Sequence, residues 1–442
     1  MADNVVRHEK YVCVDSEFNK FGHNKFYEIF VFADGTFRSI WGRVGGTTQQ
    51  KDFPGAGNSF ADSKVAEKLK KGYRKIDTVD QVEDHSSRNS SASVNNSNLK
   101  KIAREQIQHS SPVVKQLIDY LTEQNAHNIL VSSGGRITYS ADTGLFKTPL
   151  GIVTPATVDE ARKLLTQIGD WVNDNDWDNR SFVRALNDYM MLIPQDLGMG
   201  MKFGPRTVFP DLVSVQKQND VLDSLETSYA SVIAAPKDDG KKDDKKTDAP
   251  KIFDVKMELV DDKGEIKRIE HLYYSTQNKH YHYDAVQYKI KQIFSLEMPS
   301  CRDIFEKKGK PLGSLFQVFH GGSTANCLSI LKSGLKCSPP RSAHLTGSMF
   351  GGHSIYTSDM SSKAVGYCIG VWGGGRSNRV FLFAADVAMG KYYVPRGPDS
   401  SLPKPGYDST FAKGGTSGVL HNELVVYQDY QVNLTHMIEL EK

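Results

Sequence analysis

Two stretches of this 442-residue chain are built so that they cannot join a packed core, and they divide all the rest. Residues 84–98, DHSSRNSSASVNNSN, are Ser/Asn-rich and almost without large apolar side chains. Such a stretch buries too little surface to offset its ordering entropy, so a flexible linker is predicted. Residues 236–250, PKDDGKKDDKKTDAP, mix both charge signs between two prolines and read as a second, solvated linker. Three blocks remain, 1–83, 99–235 and 251–442, each the size of a domain.

The first block is predicted to be strand-rich. KFYEIFVF (25–32), the turn pair Asp34-Gly35 and TFRSIWGRVGG (36–46) spell a hairpin. In 60–76, Phe60, Val65, Leu69 and Tyr73 fall near one helical face, which suggests one helix against a small sheet. The second block is predicted to be a helix bundle with little polar chemistry inside. Ser111-Pro112 has the order of an N-cap and first-turn proline. Thr157-Val-Asp-Glu160 fits a capping box ahead of a 3.6-residue apolar period. A third helix over 181–193 ends at Pro194, and a fourth carries Leu222, Leu225, Tyr229 and Val232. The third block returns to β-branched and aromatic runs: LFQVFHGG, RVFLFAADVAMGKYYV and ELVVYQDYQVNL.

Composition excludes several classes. With 39% hydrophobic and 24% charged residues, wholesale disorder is ruled out. A net charge of +3 confines any nucleic-acid site to a local surface. Five cysteines without a CxxC pair argue against a disulfide scaffold or zinc ribbon and suit a reducing compartment. No apolar run approaches membrane-spanning length. MADNVVRHEKYVCVD places charges where a signal peptide needs an apolar core, so an intracellular protein is expected. Neither GxGxxG nor GxxxxGK[ST] is present to support a Rossmann or P-loop reading.

Three pieces of the third block could carry chemistry. His320-Gly321-Gly322 ends a strand, and its glycines let a ligand approach the backbone; taken alone it better suits a plain strand-end turn with a solvated histidine. Tyr356, with Lys363 and Tyr367 following, could frame a planar ring, or simply fill a core. Glu423 in His421-Asn422-Glu423 stands at the mouth of an apolar strand, as an edge residue or as a rigidly held acid.

Taken together and in order, VFHGGSTANCLSILKSGLKCSPP (318–340), GSMFGGHSIYTSDMSSKAVGYC (347–368) and HNELVVYQDYQVNL (421–434) resemble the catalytic domain of poly(ADP-ribose) polymerases, with its His-Tyr-Glu signature. Trp41-Gly42-Arg43 is similar to the namesake motif of the family's WGR domain. MMLIPQDLGMG (190–200) looks like part of its helical regulatory domain. The resemblance implies a multidomain α+β protein: a WGR DNA-binding domain (1–83), a helical regulatory domain (99–235) and an ADP-ribosyltransferase domain (251–442). It implies NAD as substrate and no metal.

It further implies roles. Glu423 would hold the ribose 2′-hydroxyl and stabilise an oxocarbenium-like transition state. His320 would fix the ribose, and Gly321 would offer backbone groups to the carboxamide beside Gly322. Tyr356 and Tyr367 would frame the nicotinamide, Lys363 would stand near the reacting centre, and Lys336 on the adenosine side. Trp41 would stack at a DNA end, with Arg43 linking that contact to the helices. The implied activity is DNA-break-activated transfer to protein acceptors, the chain itself included, in the nucleus, with polymer preferred over single transfer. Gly322 replaces the usual Ser/Thr, Ala364 a serine, and Thr357-Ser358 a Phe-Ala pair. These departures keep open a DNA-end-binding scaffold with weak or lost activity, or a mono-ADP-ribosyltransferase. A secreted toxin sharing the His-Tyr-Glu logic is disfavoured by the N-terminus and the WGR motif.

Overall fold

The computed structural model describes residues 5–15, 23–43, 48–76, 97–132, 137–139, 146–148, 151–195, 204–234, 251–337, 349–351, 354–370 and 377–442. They form a mixed α+β structure in two compact units, one drawn from 1–95 and 129–214, the other from 96–128 and 215–442. The segment 236–250 and most of 84–98 lie outside the described residues.

The chain opens with β1 (Val5–Asp15), β2 (His23–Phe32), β3 (Phe37–Arg43), β4 (Thr48–Phe53), α1 (Gly57–Lys70) and β5 (Arg74–Ile76). The strands form one sheet in the order β4-β3-β2-β1-β5. The Asp34-Gly35 turn joins β2 to β3: Gly35 takes φ +82°, and the Thr36 amide donates to Asp34 Oδ1 at 2.8 Å. Tyr11, Tyr27, Ile29, Val31 and Phe37 face α1, which answers with Ala61, Phe60 and Val65. The predicted apolar face of this helix is too long. Leu69 is 50% exposed. Tyr73 packs from beyond the helix, past Gly72 at φ +81°.

Next come α2 (Ser97–Gln106), α3 (Pro112–Ser132), the short strands β6 (Thr138–Tyr139), β7 (Phe146–Thr148) and β8 (Gly151–Ile152), and helices α4 (Pro155–Asn173), α5 (Arg180–Leu192), α6 (Pro205–Val208) and α7 (Leu212–Ala234). Helix α3 starts as expected, with the Val113 amide on Ser111 Oγ at 3.2 Å. Helix α4 starts earlier than the capping-box reading. Its cap is Thr154, whose Oγ1 accepts from the Thr157 amide at 3.2 Å, with Pro155 in the first turn. The end of MMLIPQDLGMG, residues 196–200, lies outside the described residues. The boundary between the two units passes through α3 and α7.

One prediction for the helical block fails. Where α3 meets α7 within the second unit, the interior is polar: Thr122, Asn125, Gln218, Asn219, Ser224, Thr227 and Ser228 are all buried. Ser228 Oγ donates to Asn125 Oδ1 at 3.3 Å, and Asn128 Nδ2 reaches Ser224 Oγ at 3.5 Å. Buried polar groups must pair in this way, since each left unmade costs about 1–3 kcal/mol.

The second unit continues with β9 (Lys256–Leu259), α8 (Lys263–Ser275), β10 (Lys289–Glu297), α9 (Pro299–Ile304), β11 (Leu315–Gly321), α10 (Cys327–Ser333), β12 (Ile355–Thr357), α11 (Ser361–Cys368), β13 (Arg379–Ala388), β14 (Tyr392–Tyr393), β15 (Ser409–Ala412), β16 (Glu423–Val426) and β17 (Val432–Glu441). Two sheets result, β11-β13-β17-β10-β9 and β12-β16-β15-β14. Strand β13 is covered on both faces. One face packs Phe381, Phe383 and Met437 against Leu99, Ile102, Leu117 and Leu121 of α2 and α3. The other packs Leu382 and Ile438 against Ile269 and Tyr273 of α8 and Val365 of α11. Each such side chain contributes about 1.5–3 kcal/mol on burial. The continuous apolar run of RVFLFAADVA is the sequence form of that double burial.

Candidate active site

A single stitch between the two sheets builds the site. Phe319 on β11 and Ser358 just past β12 exchange both backbone hydrogen bonds, at 2.8 and 2.9 Å. That exchange sets His320 beside Tyr356. His320 Nδ1 lies 3.0 Å from the Tyr356 carbonyl oxygen. A carbonyl can only accept, so Nδ1 carries the proton and the ring orientation is fixed.

The next residue leaves no choice of side chain. A Cβ on Gly321 would stand 1.9 Å from the Ala364 carbonyl oxygen and 3.0 Å from Cys368 Sγ. Glycine lets helix α11 pack against the end of β11. Gly322 is different, because a Cβ there would meet nothing within 4 Å. The serine or threonine usual in similar sequences is thus absent for no steric reason. Ala364 is 2% exposed and belongs to the apolar cluster around Phe319 and Val365.

Tyr356 is held by its hydroxyl, which accepts from the Phe350 amide at 2.9 Å and donates to the Gly351 carbonyl at 3.3 Å. Burial pushes its ionisation well above the ordinary tyrosine range, and the Glu423 carboxylate adds to this. On α11, Lys363 and Tyr367 are one turn apart and share a face. Burial, with Glu423 second, pushes Tyr367 up to about 12.

Glu423 opens β16. Its Oε1 lies 2.6 Å from Lys363 Nζ, with both side chains less than 15% exposed. Lys363 Nζ also donates to the Asn422 carbonyl at 3.3 Å. Asn422 is clamped in turn: its Nδ2 donates to Asp359 Oδ2 at 2.7 Å, and its Oδ1 accepts from the Gly414 amide at 2.9 Å. The carboxylate is therefore held on a rigid strand end rather than on a free side chain.

The structure brings His320, Gly321, Tyr356, Lys363, Tyr367 and Glu423 into one connected cluster. Lys336 stands apart from it, its ammonium 3.1 Å from Asp429 Oδ2, beside a small recess lined by Cys301 and Ser333. Trp41 and Arg43 lie in the other unit. Trp41 is half-buried on β3, its ring 6.5 Å from that of Tyr27, and Arg43 is exposed at the strand's end. Reading by sequence gave no role to Asp359, Asn422, Ser358, Ser362 or His282. The signals for them were the nearness of Ser358 and Asp359 to Tyr356 and the adjacency of Asn422 to Glu423. Among the described residues, no group of three or more His, Cys, Asp or Glu side chains could hold a metal ion, and no helix is long and apolar enough to cross a membrane.

A carboxylate, a cation, two tyrosines of raised pKa and a histidine of fixed tautomer gather around one glycine-floored strand end, an arrangement able to steady developing positive charge. Residues 263–418 match the poly(ADP-ribose) polymerase catalytic domain. The chain is 29% identical over 332 residues to Poly [ADP-ribose] polymerase 1 of Xenopus laevis, covering 67% of this chain and 32% of that protein. To Poly [ADP-ribose] polymerase 2 of Homo sapiens it is 23% identical over 395 residues, 84% of this chain and 64% of that one. To the Poly [ADP-ribose] polymerase of Sarcophaga peregrina it is 26% identical over 349 residues, 70% and 33%. Residues 263–418 thus carry the poly(ADP-ribose) polymerase catalytic domain. The chain spans about a third of the length of the first of these relatives.

Proposed function

We propose that the protein is an NAD-dependent ADP-ribosyltransferase that breaks the bond between nicotinamide and ribose and passes ADP-ribose to protein acceptors, itself included. The observation that carries this is the convergence of His320, Tyr356 and Glu423 through the Phe319–Ser358 stitch and the 2.6 Å Lys363 contact. Nicotinamide departs as a neutral molecule and leaves positive charge on the ribose. Glu423, anchored by Lys363 and Asn422, is the anion that steadies it. His320 holds the ribose, working by position rather than proton transfer. Tyr356 and Tyr367 keep their protons at neutral pH and offer ring faces to the nicotinamide. Gly321 leaves backbone groups open to the carboxamide.

We further propose the finer reading: residues 1–83 act as a WGR domain that binds DNA ends through Trp41 and Arg43, residues 99–235 as a helical regulatory domain, and 251–442 as the transferase, in the nucleus. Lys336 is proposed for the adenosine side, where it must first exchange its Asp429 partner. Labelled NAD incubated with the full chain, with and without blunt or nicked duplex, tests both levels. Incorporation stimulated by DNA is expected. Incorporation indifferent to DNA rejects the coupling, and no turnover rejects the enzyme. A DNA-binding scaffold is the second reading, supported by Gly322 and by Ala364, which offer no hydroxyl at positions where similar sequences have one.

A further inference from the structure

The histidine half and the glutamate half of the site are joined through a residue that the mechanism above does not use. Strands β12 and β16 pair Ile355 with Val426, Tyr356 with Val425 and Thr357 with Leu424. Carried two residues further, that register sets Asp359 opposite Asn422. The backbone ladder does not follow. Ser358 exchanges its backbone hydrogen bonds with Phe319 on β11, at 2.8 and 2.9 Å, and its Oγ accepts from the Met360 amide at 3.1 Å. The contact across the register is carried by side chains instead, Asn422 Nδ2 donating to Asp359 Oδ2 at 2.7 Å. Asp359 thus follows directly on the stitch that sets His320 beside Tyr356.

Asn422 fits in only one way. A carboxylate accepts and a backbone amide donates, so Nδ2 must face Asp359 and Oδ1 must face Gly414, whose amide it meets at 2.9 Å. Gly414 is itself confined: a Cβ there would lie 2.8 Å from the Leu420 carbonyl oxygen and 3.2 Å from His421 Cα. With its side chain held at both ends, Asn422 presents its own backbone carbonyl to Lys363 Nζ at 3.3 Å. The same ammonium donates to Glu423 Oε1 at 2.6 Å. Two acceptors from consecutive residues therefore fix where the ammonium stands, and the ammonium in turn fixes one oxygen of Glu423.

Resting on the transferase reading above, we propose that Asp359 is a positioning residue for turnover: through Asn422 it sets the Lys363–Glu423 pair against the histidine half of the site. His320 stands on β11 of the five-stranded sheet and Glu423 on β16 of the four-stranded one. The β12–β16 ladder places the Glu423 backbone. Asp359 adds the orientation of Asn422, and with it the carbonyl that Lys363 leans on. Remove that acceptor, and the Asn422 amide can turn over and the carbonyl loses its hold. A displacement of about 1 Å in such a group lowers turnover by about a hundredfold. NAD binding is assigned to His320, Gly321 and the two tyrosines, so the loss falls on kcat rather than on KM for NAD.

The test is a mutant cycle on the full chain, read as nicotinamide release from NAD, with thermal melts run alongside. Asp359→Ala is expected to lower kcat by about tenfold or more, with KM for NAD within about twofold of wild type. Asp359→Asn keeps an oxygen that accepts from Asn422, and is expected to hold kcat within about threefold of wild type. In the Lys363→Met background, adding Asp359→Ala is expected to cost less than about a further threefold, because Asp359 acts through Lys363; a general loosening of the fold would multiply the two losses. If Asp359→Ala does not fold, Asn422→Ala is read in the same cycle. Three results overturn the proposal while leaving the transferase intact: a folded Asp359→Ala protein with wild-type kcat, an Asp359→Asn protein as slow as Asp359→Ala, or losses that multiply in the double variant. A wild type that releases no nicotinamide overturns the transferase reading, and this proposal with it.

Discussion

Adding one methyl group at each of two neighbouring glycines should have opposite consequences. In Gly321→Ala the new Cβ would lie 1.9 Å from the Ala364 carbonyl oxygen and 2.8 Å from its carbon. Ordinary contact needs about 3.4 Å, so β11 and α11 must part by more than about 1 Å. Overpacking of this kind costs about 1–3 kcal/mol. The strain falls on backbone next to His320, whose 3.0 Å bond to the Tyr356 carbonyl fixes its ring. A shift of that size in a positioning residue lowers turnover by about a hundredfold. At Gly322 the same methyl meets nothing, so Gly322→Ala should change stability by less than about 0.5 kcal/mol. Thermal melts and NAD turnover on both variants form the assay. Gly321→Ala should melt lower by about 2–12 °C, at about 2–4 °C per kcal/mol, and lose activity, while Gly322→Ala should melt like the wild type. A Gly321→Ala protein with wild-type melting and turnover refutes the packing argument.

Three further outcomes follow from contacts at the site. Tyr356→Phe removes the acceptor of the Phe350 amide and should cost about 1–3 kcal/mol of stability, read by chemical denaturation, together with a rise in KM for NAD. Lys363→Met takes the cation from Glu423 and should reduce kcat by at least tenfold, read by nicotinamide release; an unchanged kcat would mean that the 2.6 Å pair has no part in turnover. His282, His421 and His436 all have folded pKa values below the ordinary histidine range, chiefly through burial. The unfolded chain then binds more protons between that range and the folded values, so their contribution to stability is full above about pH 6.5 and falls as pH drops. The denaturation midpoint should be lower at pH 5.5 than at pH 7.5, and replacing His282 and His436 by Gln should flatten the slope.

Local chemistry was readable wherever one short stretch decides it. The Asp34-Gly35 hairpin needs only a positive-φ residue between two extended runs, and the structure has it. Helix α4 starts three residues before the sequence expectation because Thr154 and Thr157 both offer a hydroxyl, and Pro155 in the first turn selects Thr154 as the cap. The polar seam between α3 and α7 stayed hidden: apolar periodicity marks the face that meets the sheet, while Asn125 and Ser228 find each other across a hundred residues. At the site, His320, Tyr356 and Glu423 were legible as three motifs in order. The Asn422–Asp359 clamp and the Ser362–His282 contact were not, because each joins side chains more than 60 positions apart that no motif links.

The proposed transfer depends on Glu423 acting on NAD held by this cluster. Incorporation of adenylate-labelled NAD into the full chain and its acceptors, compared between wild type and Glu423→Gln at matched melting temperature, tests that most directly. Wild-type labelling with a loss of at least a hundredfold in the variant is predicted. Equal labelling in the two proteins would contradict the account.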